Sequence, residues 1–399
     1  MQHTRIIEEH YYVMLHILLL KVFGIWPHDK SRLLLLQRVL IIILNVTFIC
    51  MQLLVLITSR YNLVLFVKTM SFVLPFTIIA ILYCSFILKS KNIKNLHYII
   101  QEDWKIIRNK IESEIIQKYA HYGQFYVTLI FLYTCFVIIA IIIIQFYPII
   151  FDLISPLDEP RPCKLIIGLE YFVPQDKYFI TKALHELISA IICGLIMLTT
   201  ATQMLIFIVH SIGMFKIASY RVRYSLEDSV LYMSNMEKER AIYESIMQIV
   251  IAHRKAMKSS DVVISIFNVP VSIIAILAVL SLSTNLFRVG IIYLMIYILN
   301  FVRSRNIFCF ITIHLVVLFA ASLIGQKVMD YNNEIFRLIY CTSWYLMPVP
   351  SQKLILFLMQ KAGKEFELKI GLIFVGKMEN FTMLLNHALS YVTVMYSVQ

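Results

Sequence analysis

Apolar runs long enough to cross a bilayer recur along this chain, separated by polar segments of uneven length. A hydrocarbon core takes about 20 helical residues. Runs of that size predict spans at 39–57, 66–88, 125–147, 183–209, 262–301, 307–323 and 372–398. The fifth run has 40 residues, too few for two full helices and a turn. It reads as one long helix, with Arg288 near a membrane face and "VRSRN" (302–306) as the turn that follows. The pattern predicts an all-α, polytopic membrane protein with seven transmembrane helices.

The seventh run differs from the rest. At about 100° per residue, Glu379, Met383, Asn386, His387, Ser390, Val394 and Ser397 share one sector. Phe381, Leu384, Leu385, Leu389, Val392, Met395 and Tyr396 fall opposite. Polar groups in a span face the bundle interior or water, because lipid offers them no partner. Hydrogen bonding inside a closed bundle is one reading and a water-filled path is another. The number of polar rungs, unmatched in any other span, favours the path. Val394 would then form an apolar ring between two serine rungs, and such constrictions gate pores by dewetting.

Composition agrees with the membrane class. The 399 residues are 60% hydrophobic and 15% charged, with a mean hydropathy of +0.78; a soluble domain is about a quarter charged. The formal charge of +12 suggests basic loops that orient membrane helices rather than a nucleic-acid surface. Segments 1–38, 89–124, 210–261 and 325–371 hold 26 of the 36 Lys and Arg. The positive-inside bias therefore predicts a cytosolic N-terminus and an extracellular C-terminus, the reverse of a G-protein-coupled receptor.

Four regions follow: a cytosolic segment 1–38, helices one to six over 39–324, a cytosolic region 325–371, and a seventh helix in 372–399. The first lacks a small-residue cleavage site and reads as a membrane-hugging segment, not a signal peptide. The external loop 148–180 holds five prolines and reads as a folded cap over the outer mouth. The cytosolic stretch 210–261 reads as amphipathic helices. Asn45 and Asn380 start N-x-T sequons inside spans, where glycosylation cannot reach them. Region 325–371 carries dense aromatic and aliphatic residues on an aqueous side, which points to protein contact.

Catalytic and metal chemistry find no support. Six of seven cysteines lie in or beside apolar runs, and no CxxC spacing exists. His185, His210, His253 and His314 are dispersed, with no HExxH pattern. "GKEFELK" lacks the spacing of a phosphate loop. Neither an enzyme, a metal nor a cofactor is implied.

The chain resembles the insect odorant receptors, including their large hymenopteran, especially ant, expansions. The residues that carry this are Gly325-Gln326, then Tyr340-x3-Trp344-Tyr345-x2-Pro348, then Ser390-Tyr391, together with "PLDEPRPCKLI", "EYFVPQDKY" and "VHSIGMFKIASYRV". The resemblance implies the odorant-specific tuning subunit of a heterotetrameric, ligand-gated, non-selective cation channel. It would assemble with odorant receptor coreceptor subunits in the plasma membrane of olfactory sensory neurons, without a G protein. Its ligands would be small apolar odorants or semiochemicals. The resemblance places the ligand pocket in the outer half of spans two, three, four and six. Its candidates are Met70, Phe72 and Phe76; Ile139, Ile143 and Phe146; Leu184, Ile188 and Ile192; Ile311, His314 and Leu315. Val394 matches the family's gate, and Met383, Asn386, His387, Ser390 and Ser397 are expected to line the pore. The subunit anchor would comprise Tyr340, Trp344, Tyr345, Leu346, Pro348, Leu354 and Leu358. Two departures stand out: Val392 replaces the phenylalanine usual after Ser-Tyr, and Ser397 stands where gustatory receptors carry Gln. A gustatory-type receptor channel and a G-protein-coupled receptor are the competing readings. A secondary transporter would show repeated halves, and the sequence has none.

Overall fold

The computed structural model describes residues 14–29, 31–60, 62–107, 109–155, 165–172, 178–225, 235–295, 301–363, 369–370 and 374–397. Within them the chain is helical throughout, apart from a two-residue antiparallel hairpin, β1 (Lys369–Ile370) with β2 (Phe374–Val375). The helices are α1 (Met14–Val22), α2 (Leu33–Thr58), α3 (Leu63–Leu88), α4 (Ser90–Ile106), α5 (Lys110–Ile154), α6 (Phe179–Ser225), α7 (Asn235–Met295), α8 (Phe301–Tyr340), α9 (Val349–Ala362) and α10 (Met378–Ser397).

Six helices, α2, α3 and α5 to α8, are long and apolar enough to cross a membrane. The predicted seventh span is α10, whose 20 residues are shorter of apolar groups because of its polar stripe. Span five lies in α7 as far as Met295, and residues 296–300 lie outside the described residues. The predicted turn at 302–306 is not one: those residues belong to the first turns of α8. Nothing in "VRSRN" forces a turn, since it holds neither Gly nor Pro.

Four helices far exceed a bilayer. At 1.5 Å per residue, the 61 residues of α7 extend about 90 Å, roughly three times a hydrocarbon core. The segments expected as separate amphipathic helices are therefore continuations of the spans. We call upper the end where α2 passes to α3, and lower the end carrying α4 and α9. Asn62 caps α3 at the upper end by accepting from Val64 N at 2.9 Å, and Asn109 caps α5 at the lower end in the same way.

The lower extensions are tied by polar contacts absent from a lipid-facing bundle. Arg221 on α6 grips Glu112 on α5 through two bonds of 2.6 and 2.9 Å. Lys216 on α6 reaches Glu334 on α8 at 2.5 Å. Asp103 on α4 meets His210 at 3.2 Å and Lys255 on α7 at 3.4 Å. His253 on α7 meets Asn332 on α8, whose amide donates to Ala362 O on α9. Paired charges of this kind fix register more than they add stability.

In the N-terminal segment, α1 and the turn after it pack one face into the bundle and leave Leu15, Leu18 and Val22 exposed. Leu20, Phe23, Ile25 and Trp26 are all at most 5% exposed, in one core with Phe48, Phe72, Phe76, Phe86 and Phe207. Gly24, at φ +63°, makes the reversal possible, since other residues rarely adopt that conformation. Ile25 N then returns to Leu20 O at 2.8 Å. The patches in this segment are hydrophobic enough for either placement, and periodicity cannot separate core from membrane surface.

Candidate functional site

Two features of the upper bundle carry polarity that packing alone does not explain. The first is α10. Leu384 and Ala388 are buried, at 6% and 0% exposure, against Ala278, Leu282, Ile311 and Leu318 of α7 and α8. Phe381, Leu385, Met395 and Tyr396 are partly buried on the same side. Glu379, Asn386, His387, Ser390, Val394 and Ser397 are exposed, and Met383 is half-buried. The hydroxyls along this face bond only to their own helix: Ser390 to Asn386 O, Thr393 to Ser390 O, and Ser397 to Val394 O, all at 2.7–2.9 Å. Bonding to a neighbouring helix of the same chain therefore does not account for the stripe. One sequence assignment changes. Leu389 is 54% exposed, at the flank of the open face, because its angular position lies just past Tyr396 rather than at the centre of the packed side.

The signature pair Gly325-Gln326 positions the start of this helix. A Cβ on Gly325 would lie 2.8 Å from Gly376 Cα, inside van der Waals contact, so only glycine lets the two backbones meet. Gln326 Oε1 then accepts from Met378 N at 3.4 Å.

The second feature is a cavity of about 20 Å³ between α2, α3 and the loop 165–172, lined by Gln52, Val55, Leu65, Lys68, Thr69, Phe72, Ile167 and Gly168. Residues 165–172 of the expected cap fold into the mouth of the bundle. Ile167 and Leu169 are buried at 5% and 6% exposure. Ile167 N donates to Glu186 at 2.7 Å, Glu170 N to Met51 O at 3.1 Å, and Ile166 N to Gln145 at 3.4 Å. Tyr171 meets His185 at 2.7 Å.

The expected pocket residues do not converge on one lining. Phe72 lines the cavity, and Phe76 and Ile192 belong to the core beside it. Met70 and Phe146 are half-buried. Ile311 and Leu315 pack with α10 instead, and His314 is buried on the same helix, bonded to Phe310 O. Ile139, Ile143, Leu184 and Ile188 are 45–55% exposed and face outward. Apolar residues recur on every side of these helices, so apolarity alone could not tell the inner face from the outer.

Gln52, Lys68 and Thr69 were not anticipated, although a glutamine in an apolar run was a visible signal. Nor was the link from the cavity to α10. Arg288 on α7 donates to Ser71 Oγ at 2.5 Å and lies 5.2 Å from the centre of the Phe72 ring. Its neighbour Phe287, fully buried, packs tilted against Tyr396 of α10 with ring centres 4.7 Å apart, and Tyr396 donates to Phe287 O at 3.5 Å.

At the lower end, α8 runs to Tyr340, followed by a 3-10 turn, Trp344–Leu346, and α9. Of the expected anchor residues, Tyr340, Tyr345 and Leu346 are 63–71% exposed, beside exposed Val349, Leu356 and Phe357. Trp344, Pro348 and Leu354 are half-buried. Leu358 is 3% exposed and packs inside this chain's own lower core, because it lies on the face of α9 shared with Ile355 and Met359.

The family model for the 7tm Odorant receptor matches residues 62–389. The chain belongs to the odorant receptor family. Membership makes this multi-pass membrane protein a receptor and not an enzyme. Its fold is similar to that of the insect olfactory receptor OR5 from Machilis hrabei in complex with eugenol, with a TM-score of 0.75 at 12% identity. The same receptor in a second structure gives 0.72 at 13% identity. In both comparisons 96% of this chain aligns with 97% of the other. No curated protein matches the chain in sequence.

Proposed function

We propose that this receptor is the odorant-binding subunit of a heterotetrameric, ligand-gated, non-selective cation channel in the plasma membrane of olfactory sensory neurons. Its partners are coreceptor subunits. The carrying observation is the α10 stripe: polar and exposed, with hydroxyls that bond, among the described residues, only to their own helix backbone. Lipid cannot face it at reasonable cost. Around a shared axis the stripes of four subunits would line a wet path, with Val394 as the dry ring. Met383, Asn386, His387, Ser390 and Ser397 line the remainder.

The lower end is cytosolic on the charge bias. The exposed Tyr340, Tyr345, Leu346, Leu356 and Phe357 then lie in water unless another subunit covers them, which supports the anchor reading. The ligand enters at the upper, external end, near Phe72 and Phe76. The similar Machilis receptor is solved in complex with eugenol, and a small organic ligand is assigned here on the same fold. Ligand contact at Phe72 reaches the gate through Arg288, Phe287 and Tyr396, two residues beyond Val394. Ligand shifts the open fraction only through differential affinity for the two states.

The test is whole-cell current with an odorant panel, with and without the coreceptor, alongside epitope tags at both ends. Ligand-evoked cation current only with the coreceptor, and a C-terminal tag reachable on intact cells, are expected. An externally reachable N-terminal tag, or responses needing a G protein, would overturn the reading.

A further inference from the structure

The upper cavity is walled largely by apolar side chains, yet it contains a group that apolar packing does not explain. Gln52 is 1% exposed, and neither its Oε1 nor its Nε2 has a hydrogen-bond partner among the described residues. Burying both ends of an amide unpaired is costly, and native proteins seldom tolerate it without an occupant. The void beside it is about 20 Å³, room for one oxygen-sized group and not for a carbon chain.

The polarity extends behind the cavity. Glu186 Oε1 holds Ile167 N, a lining residue, while its Oε2 is unpartnered. Ser189 Oγ, one turn along α6, and Asn45 Nδ2, two turns along α2 from Gln52, are likewise unpartnered, at 0% and 2% exposure. Cys193 donates to Asn45 Oδ1 at 3.3 Å, so the two helices meet along this seam. An all-hydrocarbon ligand would leave every one of these groups unsatisfied.

We propose that Gln52 seats the oxygen of the ligand's head group, so that the receptor recognises hydroxyl- or carbonyl-bearing molecules and discriminates against pure hydrocarbons. The amide N–H donates to a carbonyl or hydroxyl oxygen, and the amide oxygen accepts from a hydroxyl. Thr69, on the facing helix, lines the same space. The void takes the oxygen alone, and the apolar tail lies outside it. This extends the receptor reading above by naming the ligand's chemistry, and its binding assay does not depend on the channel.

The probes are n-alkanes from hexane to dodecane with their matching 1-alkanols and aldehydes, tested on receptor co-expressed with coreceptor. Binding is read as a rise in the unfolding midpoint of the purified complex, and activation as current. At least one oxygenated probe should act at about tenfold or more lower concentration than its alkane, since a site built to hydrogen-bond rejects the analogue that cannot. Gln52→Leu should bring the pair within about threefold and raise the ligand-free midpoint, because an unpaired amide has gone. Gln52→Met, close in shape, should do the same and guards against misfolding of the first variant. Equal action of alkanes and alkanols on the wild type, no binding by any oxygenated probe, or a preference intact in both variants would overturn the proposal, the last outcome leaving Gln52 to an internal water. Gln52-dependent stabilisation without current would support the seat and count against the channel.

Discussion

The contact between Arg288 and Ser71 joins the cavity wall on α3 to α7, whose Phe287 packs against α10. Arg288→Met removes a guanidinium that donates to Ser71 Oγ at 2.5 Å and lies over Phe72. A hydrogen bond from a charged donor contributes about 1.5–3 kcal/mol, and a cation over a ring about 0.5–2 kcal/mol. Arg288 is half-buried, so the low ends apply, giving about 2 kcal/mol. Ser71 keeps its own bond to Lys68 O at 2.7 Å, so the substitution leaves no orphaned donor to inflate the loss. A change of that size is about 30-fold in an equilibrium ratio. The assay is a double-mutant cycle of Arg288→Met and Ser71→Ala, read by the unfolding midpoint of the complex and by odorant potency. Each single change should weaken both readouts, and the double should cost little more than Arg288→Met alone. If Ser71→Ala costs as much in the Arg288→Met background as in the wild type, the two residues do not interact and the route to α10 fails.

Three further outcomes are expected. Val394→Ser should raise ligand-independent leak or alter ion selectivity at normal surface expression, since Val394 is 56% exposed and supports no packing; Leu384→Ser, which is buried, should instead lower expression, and unchanged permeation in Val394→Ser sinks the gate assignment. Tyr345→Ala with Leu346→Ala should reduce recovery of coreceptor complexes, as exposed aromatic anchors can contribute 2 kcal/mol or more, while leaving the subunit's own fold intact; normal recovery removes the anchor. Acid should destabilise the core around Trp26 and Phe207: burial lowers the His97 imidazole to about 3 and His16 to about 4, with the nearby His28 adding to the effect at His97. Both are neutral when folded and free to protonate when unfolded, so their contribution is complete above about pH 6.5 and falls as pH drops from there toward 4. The unfolding midpoint measured from pH 7.5 to 4.5 should decline, less so in His97→Gln, and a flat profile would refute the assignment.

Legibility in the sequence tracked how many solutions each pattern allowed. Six spans were plain because a run of about 20 apolar residues has one use at this density. The polar face of α10 was readable as well, since polar and apolar positions separate cleanly around that helix. The pocket was not. Ile143 and Phe72 are equally apolar, and only the packed bundle shows that one faces out and the other lines the cavity. The packing of one face of the N-terminal helix was not legible for the same reason, since burial in a core and contact with a membrane surface demand the same residues. Arg288 was noticed as a charge near a membrane face, but its partners Ser71 and Phe72 lie more than 200 positions away, beyond any local pattern.

The exposed surface divides into two kinds that call for different surroundings. Along α2 and α5 the exposed side chains are Leu36, Leu40, Ile43, Phe125, Leu129, Leu132 and Phe136, and lipid satisfies them without further structure. Along α10 they are Glu379, Asn386, His387, Ser390 and Ser397, and lipid satisfies none of them. The other side of α10 is filled by α7 and α8, so this helix cannot turn its polar face inward without exposing Leu384 and Ala388. A single copy in a membrane therefore has one face with no acceptable neighbour. Water at that face requires other subunits to keep lipid away, and a closed ring of such faces makes a pore. The polarity that makes α10 the least convincing span by hydropathy is thus the strongest support for the proposed channel.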